Sequence, residues 1–374
     1  MPRGLQPDKQ LMGVTLALCF IGAVMVFSAS AMTAQDKFGA GYIFLLRQFV
    51  YIVLGIAGMF AMMNTDYRKL RQPRIVFTGL AFTFITLVAV YFLDRSHATH
   101  RWFRLGPFSF QPSEMAKLAL IVYLAWFLES RRAPGKIGVN DFWGTLAPAL
   151  GTVLLMAALV VKEPDMGTAF MIVVIGMVML YVAGLSYKYI GGALLAAIPT
   201  IYLLIVRVPY RLARFEAFLH PDRDPQGAGF QLLQSLIAVG SGGFTGVGLM
   251  ESKQKLFYLP EAHTDFIYAV ICEELGFIGA TIVIALFAAY AWRGLRAAFN
   301  APDGFGRTLA LGATAMVLFQ SLINFAVVLG MMPTKGIPLP FVSYGGSSLL
   351  AMLLATGVLL NVAQQGGSNA GQQA

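Results

Sequence analysis

Residues 255–292 read Lys255-Leu-Phe-Tyr-Leu-Pro-Glu-Ala-His-Thr-Asp265-Phe-Ile-Tyr-Ala-Val-Ile-Cys-Glu-Glu-Leu-Gly-Phe-Ile-Gly-Ala-Thr-Ile-Val-Ile-Ala-Leu-Phe-Ala-Ala-Tyr-Ala-Trp292. A polar approach ends at Asp265, and an almost uninterrupted apolar run follows. That run is longer than the roughly 20 residues a helix needs to cross a hydrocarbon core, so it reads as a membrane helix. Asp265 then stands where water meets lipid, behind Pro260, which stiffens its approach. An ionisable group at such a boundary is a functional candidate by default.

The same pattern recurs along the chain. Its 374 residues are 57% hydrophobic and 12% charged, against about 25% charged in soluble domains. The mean hydropathy is +0.70. Apolar runs lie near 11–32, 43–63, 74–93, 113–130, 143–161, 167–185, 188–206, 265–292, 308–331 and 343–364. They predict an all-α polytopic membrane protein with about ten transmembrane helices. A barrel is excluded because its strands would alternate in hydropathy, and these runs do not. The first run follows Met1-Pro-Arg-Gly with no convincing cleavage site and is expected to be retained.

The net charge of +9 reads as topology rather than nucleic-acid binding. One alternate set of connections holds about 13 basic residues: Arg3, Lys9, Arg68, Lys69, Arg71, Arg74, Arg131, Arg132, Lys136, Lys188, Arg293, Arg296 and Arg307. The short connections of the opposite set hold about six: Lys37, Arg95, Arg101, Arg104, Lys162 and Lys335. Both termini are therefore expected in the cytoplasm. The long loop 207–264, between the seventh and eighth helices, is expected to be extracytoplasmic, outside the cell or in the periplasm. Residues 1–365 form one transmembrane domain, and 366–374 read as a short disordered tail. The cytoplasmic connections are short and leave no room for a nucleotide-binding module, which argues against ATP-driven chemistry. Cys19 and Cys272 fall inside membrane helices and read as packing residues.

Several constellations line the outward side. Arg101 and Arg104 flank aromatic residues, and can anchor a helix end or meet a phosphate. Ser113 can cap the fourth helix. Glu114 and Lys117, three apart on one helical face, read equally as a structural ion pair or a substrate-facing one. Asp165 can cap the sixth helix or touch substrate. In the large loop, Gln231 and Gln234-Ser235 offer paired donors and acceptors suited to sugar hydroxyls. The glycine-rich segment 239–248 lacks the strand of a dinucleotide fingerprint and reads as a compact loop. Gly336-Ile-Pro-Leu-Pro-Phe-Val-Ser343 opens the last helix, where free N–H groups can hold an anion or small residues can pack closely. Around Asp265 cluster Glu261, His263 and Thr264. As a plain alternative, Thr264 or Asp265 starts the eighth helix. Glu273 and Glu274 follow, and only Glu273 falls near the face of Asp265.

These residues carry a resemblance. Phe110-Gln-Pro-Ser-Glu114, Glu163-Pro-Asp-Met-Gly-Thr168, Asp224-Pro-Gln-Gly-Ala-Gly-Phe-Gln231, Phe257-Tyr-Leu-Pro-Glu-Ala-His-Thr-Asp265-Phe-Ile and Pro338-Leu-Pro-Phe-Val-Ser-Tyr-Gly-Gly-Ser347 are similar to motifs of the SEDS proteins (shape, elongation, division and sporulation: FtsW, RodA and SpoVE). The match runs nearly end to end. The Lys-Leu-Phe-Tyr-Leu-Pro spacing and Pro-Thr-Lys335-Gly-Ile-Pro look more like the division branch.

The resemblance implies a ten-helix peptidoglycan glycosyltransferase of the bacterial inner membrane, at the division septum. It implies lipid II and nascent glycan as substrates in cell division or elongation, Asp265 as catalytic residue, and a class B penicillin-binding protein as partner alongside other division or elongation proteins. No cofactor is evident, although a bound divalent metal could share in charge stabilisation. The other candidates for substrate contact are Arg101, Arg104, Glu114, Lys117, Gln231, Gln234, Glu261, His263, Thr264, Lys335 and Ser343. A lipid II flippase is the competing expectation, and a non-catalytic scaffold for the transpeptidase a weaker third.

Overall fold

The computed structural model describes residues 7–94, 100–106, 108–131, 138–256 and 258–370. Ten long helices follow the apolar runs closely. They are α1 (Lys9–Phe38), α2 (Ile43–Asn64), α3 (Pro73–Leu93), α4 (Pro112–Arg131), α5 (Ala147–Lys162), α6 (Met166–Val182), α7 (Tyr187–Val206), α10 (Ile267–Phe299), α11 (Gly304–Val328) and α12 (Gly346–Ala370). The agreement follows from bilayer thickness, which fixes helix length before any tertiary contact is made. Eight are long and apolar enough to cross a membrane, α5 together with the π-helical turn Phe142–Leu146 that precedes it. The other two are α6, with 17 residues, and α4, which carries Glu114, Lys117, Glu129 and Arg131. Of the residues counted for topology, Arg3, Arg95, Arg132 and Lys136 lie outside the described ones, as does Phe257 of the motif.

Local signals set the helix ends. Asp8 accepts from the amides of Gln10 and Leu11 to open α1, and Gly39, at φ 71°, closes it. Asp303 opens α11 by accepting from Gly306 N–H at 2.7 Å. Ser113 does not cap α4 as expected: the helix starts at Pro112, and the Ser113 hydroxyl is buried without a partner.

α11 and α12 form the buried centre, and α2, α4 and α10 pack around them. Small residues permit close approach. A Cβ at Gly357 of α12 would sit 2.4 Å from the Met59 carbonyl of α2. At the periphery, α7 buries none of its side chains.

Three features depart from the sequence reading. The stretch 207–264 is not an open loop. It contains α8 (Pro209–Leu219), amphipathic and placed directly after α7, and α9 (Phe230–Ser241). A two-stranded hairpin, β1 (Phe103–Leu105) against β2 (Phe108–Phe110), interrupts the all-α pattern. Its Ser109 amide donates to the Tyr51 hydroxyl of α2 at 3.1 Å, which donates in turn to the Ser109 carbonyl at 3.2 Å. Finally, 366–370, expected in the tail, are the end of α12, while 371–374 lie outside the described residues.

α10 is broken. Gly276 stands at φ 63° and ψ −163° inside it, leaving segments 267–275 and 277–299. The glycine-rich loop fills the gap. Val247 and Gly248 donate amides to the Glu273 and Glu274 carbonyls at 3.0 and 3.1 Å. Phe277 and Ile278 donate to the Gly243 and Phe244 carbonyls at 3.0 and 3.2 Å. Backbone groups freed by the break are thus satisfied inside the protein, as hydrocarbon demands. The glycines are required because a Cβ on Gly276 would lie 2.3 Å from the Gly246 nitrogen.

Candidate active site

The segment before α10 lies against the connection between α11 and α12. Asn324 of α11 donates one amide nitrogen to the Asp265 carbonyl and the Ile337 carbonyl, both at 2.8 Å. The Ser343 hydroxyl donates to the Thr264 carbonyl at 2.5 Å and accepts from the Leu339 amide at 2.8 Å. The Tyr344 amide donates to the His263 carbonyl at 3.0 Å. Three successive residues, His263, Thr264 and Asp265, are held by their main chain, which leaves the Asp265 side chain free to act. Its carboxylate lies over Gly336, where a Cβ would come within 3.0 Å of Oδ2. Any larger residue there would crowd the acid.

Asp265 does not start the helix. α10 begins at Ile267, and no side chain caps it. The plain alternative to a working acid therefore fails. Asp265 keeps partial access to water while protein crowds its carboxylate. Burial pushes its carboxyl up to about 7, helped by the Glu261 and Asp165 carboxylates and opposed by Arg214 and Arg101. A carboxyl half-ionised near neutral pH is suited to general-base work.

A second acidic element comes from the turn between α5 and α6. Asp165 caps α6 by accepting from the Thr168 amide at 3.0 Å, and also accepts from the Thr168 hydroxyl and the Gln111 amide, each at 2.8 Å. Arg101 Nε donates to the Glu163 carbonyl at 2.8 Å, and its Nη2 donates to the Pro164 carbonyl. Glu163 is buried, and neither side-chain oxygen has a hydrogen-bond partner. Burial, with Asp165 adding to it against Arg101, pushes Glu163 up to about 8, so it is mostly a neutral acid at pH 7.

Cationic groups reach the same place from three elements. Lys335 stacks its ammonium on Phe170 at 4.7 Å, and burial pulls it below the usual lysine range. Arg214 of α8 donates to the Thr334 carbonyl at 3.4 Å. Arg101 and Arg214 both act on the Asp265 charge.

The remaining expected contacts divide. Glu261 accepts from the Thr264 hydroxyl at 2.8 Å, and the His263 ring tilts against Phe44 at 4.9 Å. Burial pulls His263 below the usual histidine range. Gln231 donates to the Pro260 carbonyl at 3.4 Å, Gln234 is half-buried, and Arg104 is exposed on the hairpin. Glu114 and Lys117 are buried and paired at 2.7 Å. Lys117 also donates to Gln320 at 2.7 Å, whose amide donates to the Pro338 carbonyl at 2.9 Å. The ion-pair reading fits these two, because neither presents a surface to substrate. Ser343, also buried, braces backbone rather than offering a donor to a ligand.

Asn324, Gly336 and Arg214 were not singled out from sequence. Asn324 had a signal, an amide that with Gln320 stands within an apolar run. Arg214 had a weaker one, the basic spacing Arg207, Arg211 and Arg214 among aromatics. Among the described residues, no group of three or more His, Cys, Asp or Glu could hold a metal ion.

With this geometry in place, comparison with known proteins is decisive. The sequence model described as "cell cycle protein", covering FtsW, RodA and SpoVE, matches residues 9–367. The chain belongs to the FtsW/RodA/SpoVE family. A probable peptidoglycan glycosyltransferase FtsW from Geobacter sp. (strain M18) is 44% identical, over 94% of this chain and 95% of that one. Stage V sporulation protein E from Bacillus subtilis (strain 168) is 42% identical, over 96% of this chain and 97% of that one. Among solved structures, a chain from work on structural coordination of polymerization and crosslinking by a peptidoglycan synthase complex superposes with a TM-score of 0.78 at 30% identity, covering 96% of this chain and 98% of that one. The rod shape determining protein RodA of Thermus thermophilus gives 0.71 at 28% identity, covering 97% and 98%. The FtsW/RodA/SpoVE fold is thus matched across nearly the whole chain.

Proposed function

We propose that this chain is a peptidoglycan glycosyltransferase that polymerises lipid II, with Asp265 as its general base. The observation that carries the reading is Asp265 itself: an acid raised to about 7, held by its main chain, in a member of the FtsW/RodA/SpoVE family.

Asp265 takes the proton from the C4 hydroxyl of the acceptor N-acetylglucosamine. That oxygen attacks C1 of the donor N-acetylmuramic acid as the bond to the diphosphate oxygen breaks, inverting α to β. A positioned base contributes roughly 10²- to 10⁴-fold. The departing polyprenyl diphosphate needs positive charge where its own negative charge develops. Lys335, Arg214 and Arg101 supply it, with Arg104 at the exposed hairpin. Gln231, Gln234, Glu261, His263 and Thr264 meet sugar hydroxyls and amides along the approach.

All ten long helices cross the membrane in this reading, including α4 and α6, because each connects neighbours that cross. The termini are cytoplasmic and the Asp265 end faces outward, where lipid II is consumed. The lipid tails lie against α7, which stands off the bundle with no buried side chain. A class B penicillin-binding protein is the partner. The similarity to a chain from a peptidoglycan synthase complex supports this. The division-type motifs support a septal location for the complex.

A flippase would instead use broken helices in paired halves and charge near the bilayer midplane. α10 is broken, but the glycine loop closes the break, and the acids of the site gather at one end of the bundle. The test is polymerisation of lipid II by the purified chain with a class B partner. Glycan strands are expected; lipid II movement across vesicles without strand growth would support the flippase.

A further inference from the structure

Glu273 and Glu274 stand apart from the proposed chemistry, yet both are buried within a helix that borders the site. Neither approaches Asp265 as a partner. Glu274 accepts from the ammonium of Lys255 at 2.9 Å. The Ser28 hydroxyl of α1 lies 2.6 and 2.7 Å from its two oxygens, and Lys255 also donates to that hydroxyl at 3.2 Å. Glu273 accepts from the Ser252 hydroxyl at 2.5 Å and the Lys253 amide at 3.0 Å. Lys255, Glu274, Glu273, Ser28 and Ser252 are all buried.

The pair closes a loop. Lys255 precedes Asp265 by ten residues and Glu274 follows it by nine, so the acid sits midway between two groups joined to each other. Apolar contact could close the same loop without the cost of burying two charges. What the ion pair adds is register, because directional bonds among three elements admit one arrangement where an apolar seam can slide. A general base needs that arrangement, since it must reach its proton within about 2.6–3.2 Å.

We infer that the Lys255–Glu274 pair, braced by Ser28, is a positioning device that sets the approach of the Asp265 carboxylate to the acceptor hydroxyl. The inference rests on the polymerase reading. It separates placement from attachment: Asn324 and Ser343 hold the backbone at Asp265 and Thr264, and the pair joins the two flanks of the same segment.

The test uses the full chain co-purified with its class B transpeptidase and supplied with lipid II. The variant Lys255→Met/Glu274→Leu removes both charges together, so no lone charge is left buried. Its melting temperature and lipid II KM should stay near wild type while kcat falls about ten- to 100-fold, the scale of a roughly 1 Å misplacement. Lys255→Arg, which keeps charge and reach, should retain most of the turnover. A folded double variant with wild-type kcat would overturn the inference. Should the double variant not fold, Ser28→Ala decides, since it deletes only the brace. A kcat lowered about two- to fivefold at unchanged KM is expected from one lost hydrogen bond, and an unchanged kcat overturns the inference. Failure of the polymerase reading looks different: the wild-type complex itself would make no glycan.

Discussion

Asn324, within an apolar stretch of α11, donates its side-chain amide to the main-chain carbonyl of Asp265 at 2.8 Å. The same nitrogen holds the Ile337 carbonyl, so one side chain ties the acid-bearing segment to the connection that carries Lys335 and Gly336. Both carbonyls lose their donor if the amide is removed. Asn324→Ala is expected to cost about 1–3 kcal/mol of stability, the penalty of unsatisfied buried acceptors. It should also lower kcat for lipid II polymerisation at least tenfold, measured as glycan formed per unit time by protein confirmed to be folded.

The pH profile follows from Asp265. A base must be ionised, and this carboxyl titrates at about 7. The kcat/KM profile should rise with pH and level off above an acid limb near 7. Asp265→Glu should move or lower that limb, whereas removing the exposed Arg104 charge should leave its position unchanged. A limb near 4, the ordinary carboxylate value, would mean that burial does not tune this group.

Glu163 makes a prediction about stability. Its carboxyl is raised from 4.5 to about 8 in the folded state. The folded protein therefore holds a proton that the unfolded chain releases between those values. Stability from this group is full below the lower value and is lost as pH rises through the upper one. Glu163→Gln keeps the neutral shape and removes the titration. The thermal midpoint of the variant should exceed that of wild type by a margin that grows from pH 5 to pH 8 and then levels.

The break in α10 tests the glycine loop. Gly276→Ala places a Cβ 2.3 Å from the Gly246 nitrogen at a φ of 63°. The backbone conformation alone costs about 1–3 kcal/mol. The substitution should lower the thermal midpoint by several degrees and reduce folded yield, whereas Gly13→Ala, with nothing within 4 Å, should be tolerated.

Sequence revealed what bilayer physics and local chemistry decide. Hydrocarbon thickness fixed the length of runs such as 43–63 and 74–93, and α2 and α3 fall within a residue of them at each end. Asp265 stood out because an acid at such a boundary has few neutral explanations. Features made by tertiary contact stayed hidden. The break at Gly276 depends on Gly246, thirty residues upstream, and an isolated glycine in a helix gives no hint of it. α8 and α9 hid inside a polar stretch because amphipathic segments of 11 and 12 residues fall short of a span. Arg214 and Asn324 reach the site from separate elements that only folding brings together.

The central claim is that Asp265 is the base for glycan growth, and replacement by Asn tests it most directly. Asp265→Asn keeps the size of the side chain and removes its proton-accepting charge. The variant, co-purified with its class B partner, should bind lipid II, melt at or above the wild-type temperature at pH 7.5, and polymerise at least about 100-fold more slowly, the lower end of what a general base supplies. Glycan polymerisation at a rate near that of wild type, by Asp265→Asn protein shown to be folded, would contradict the account.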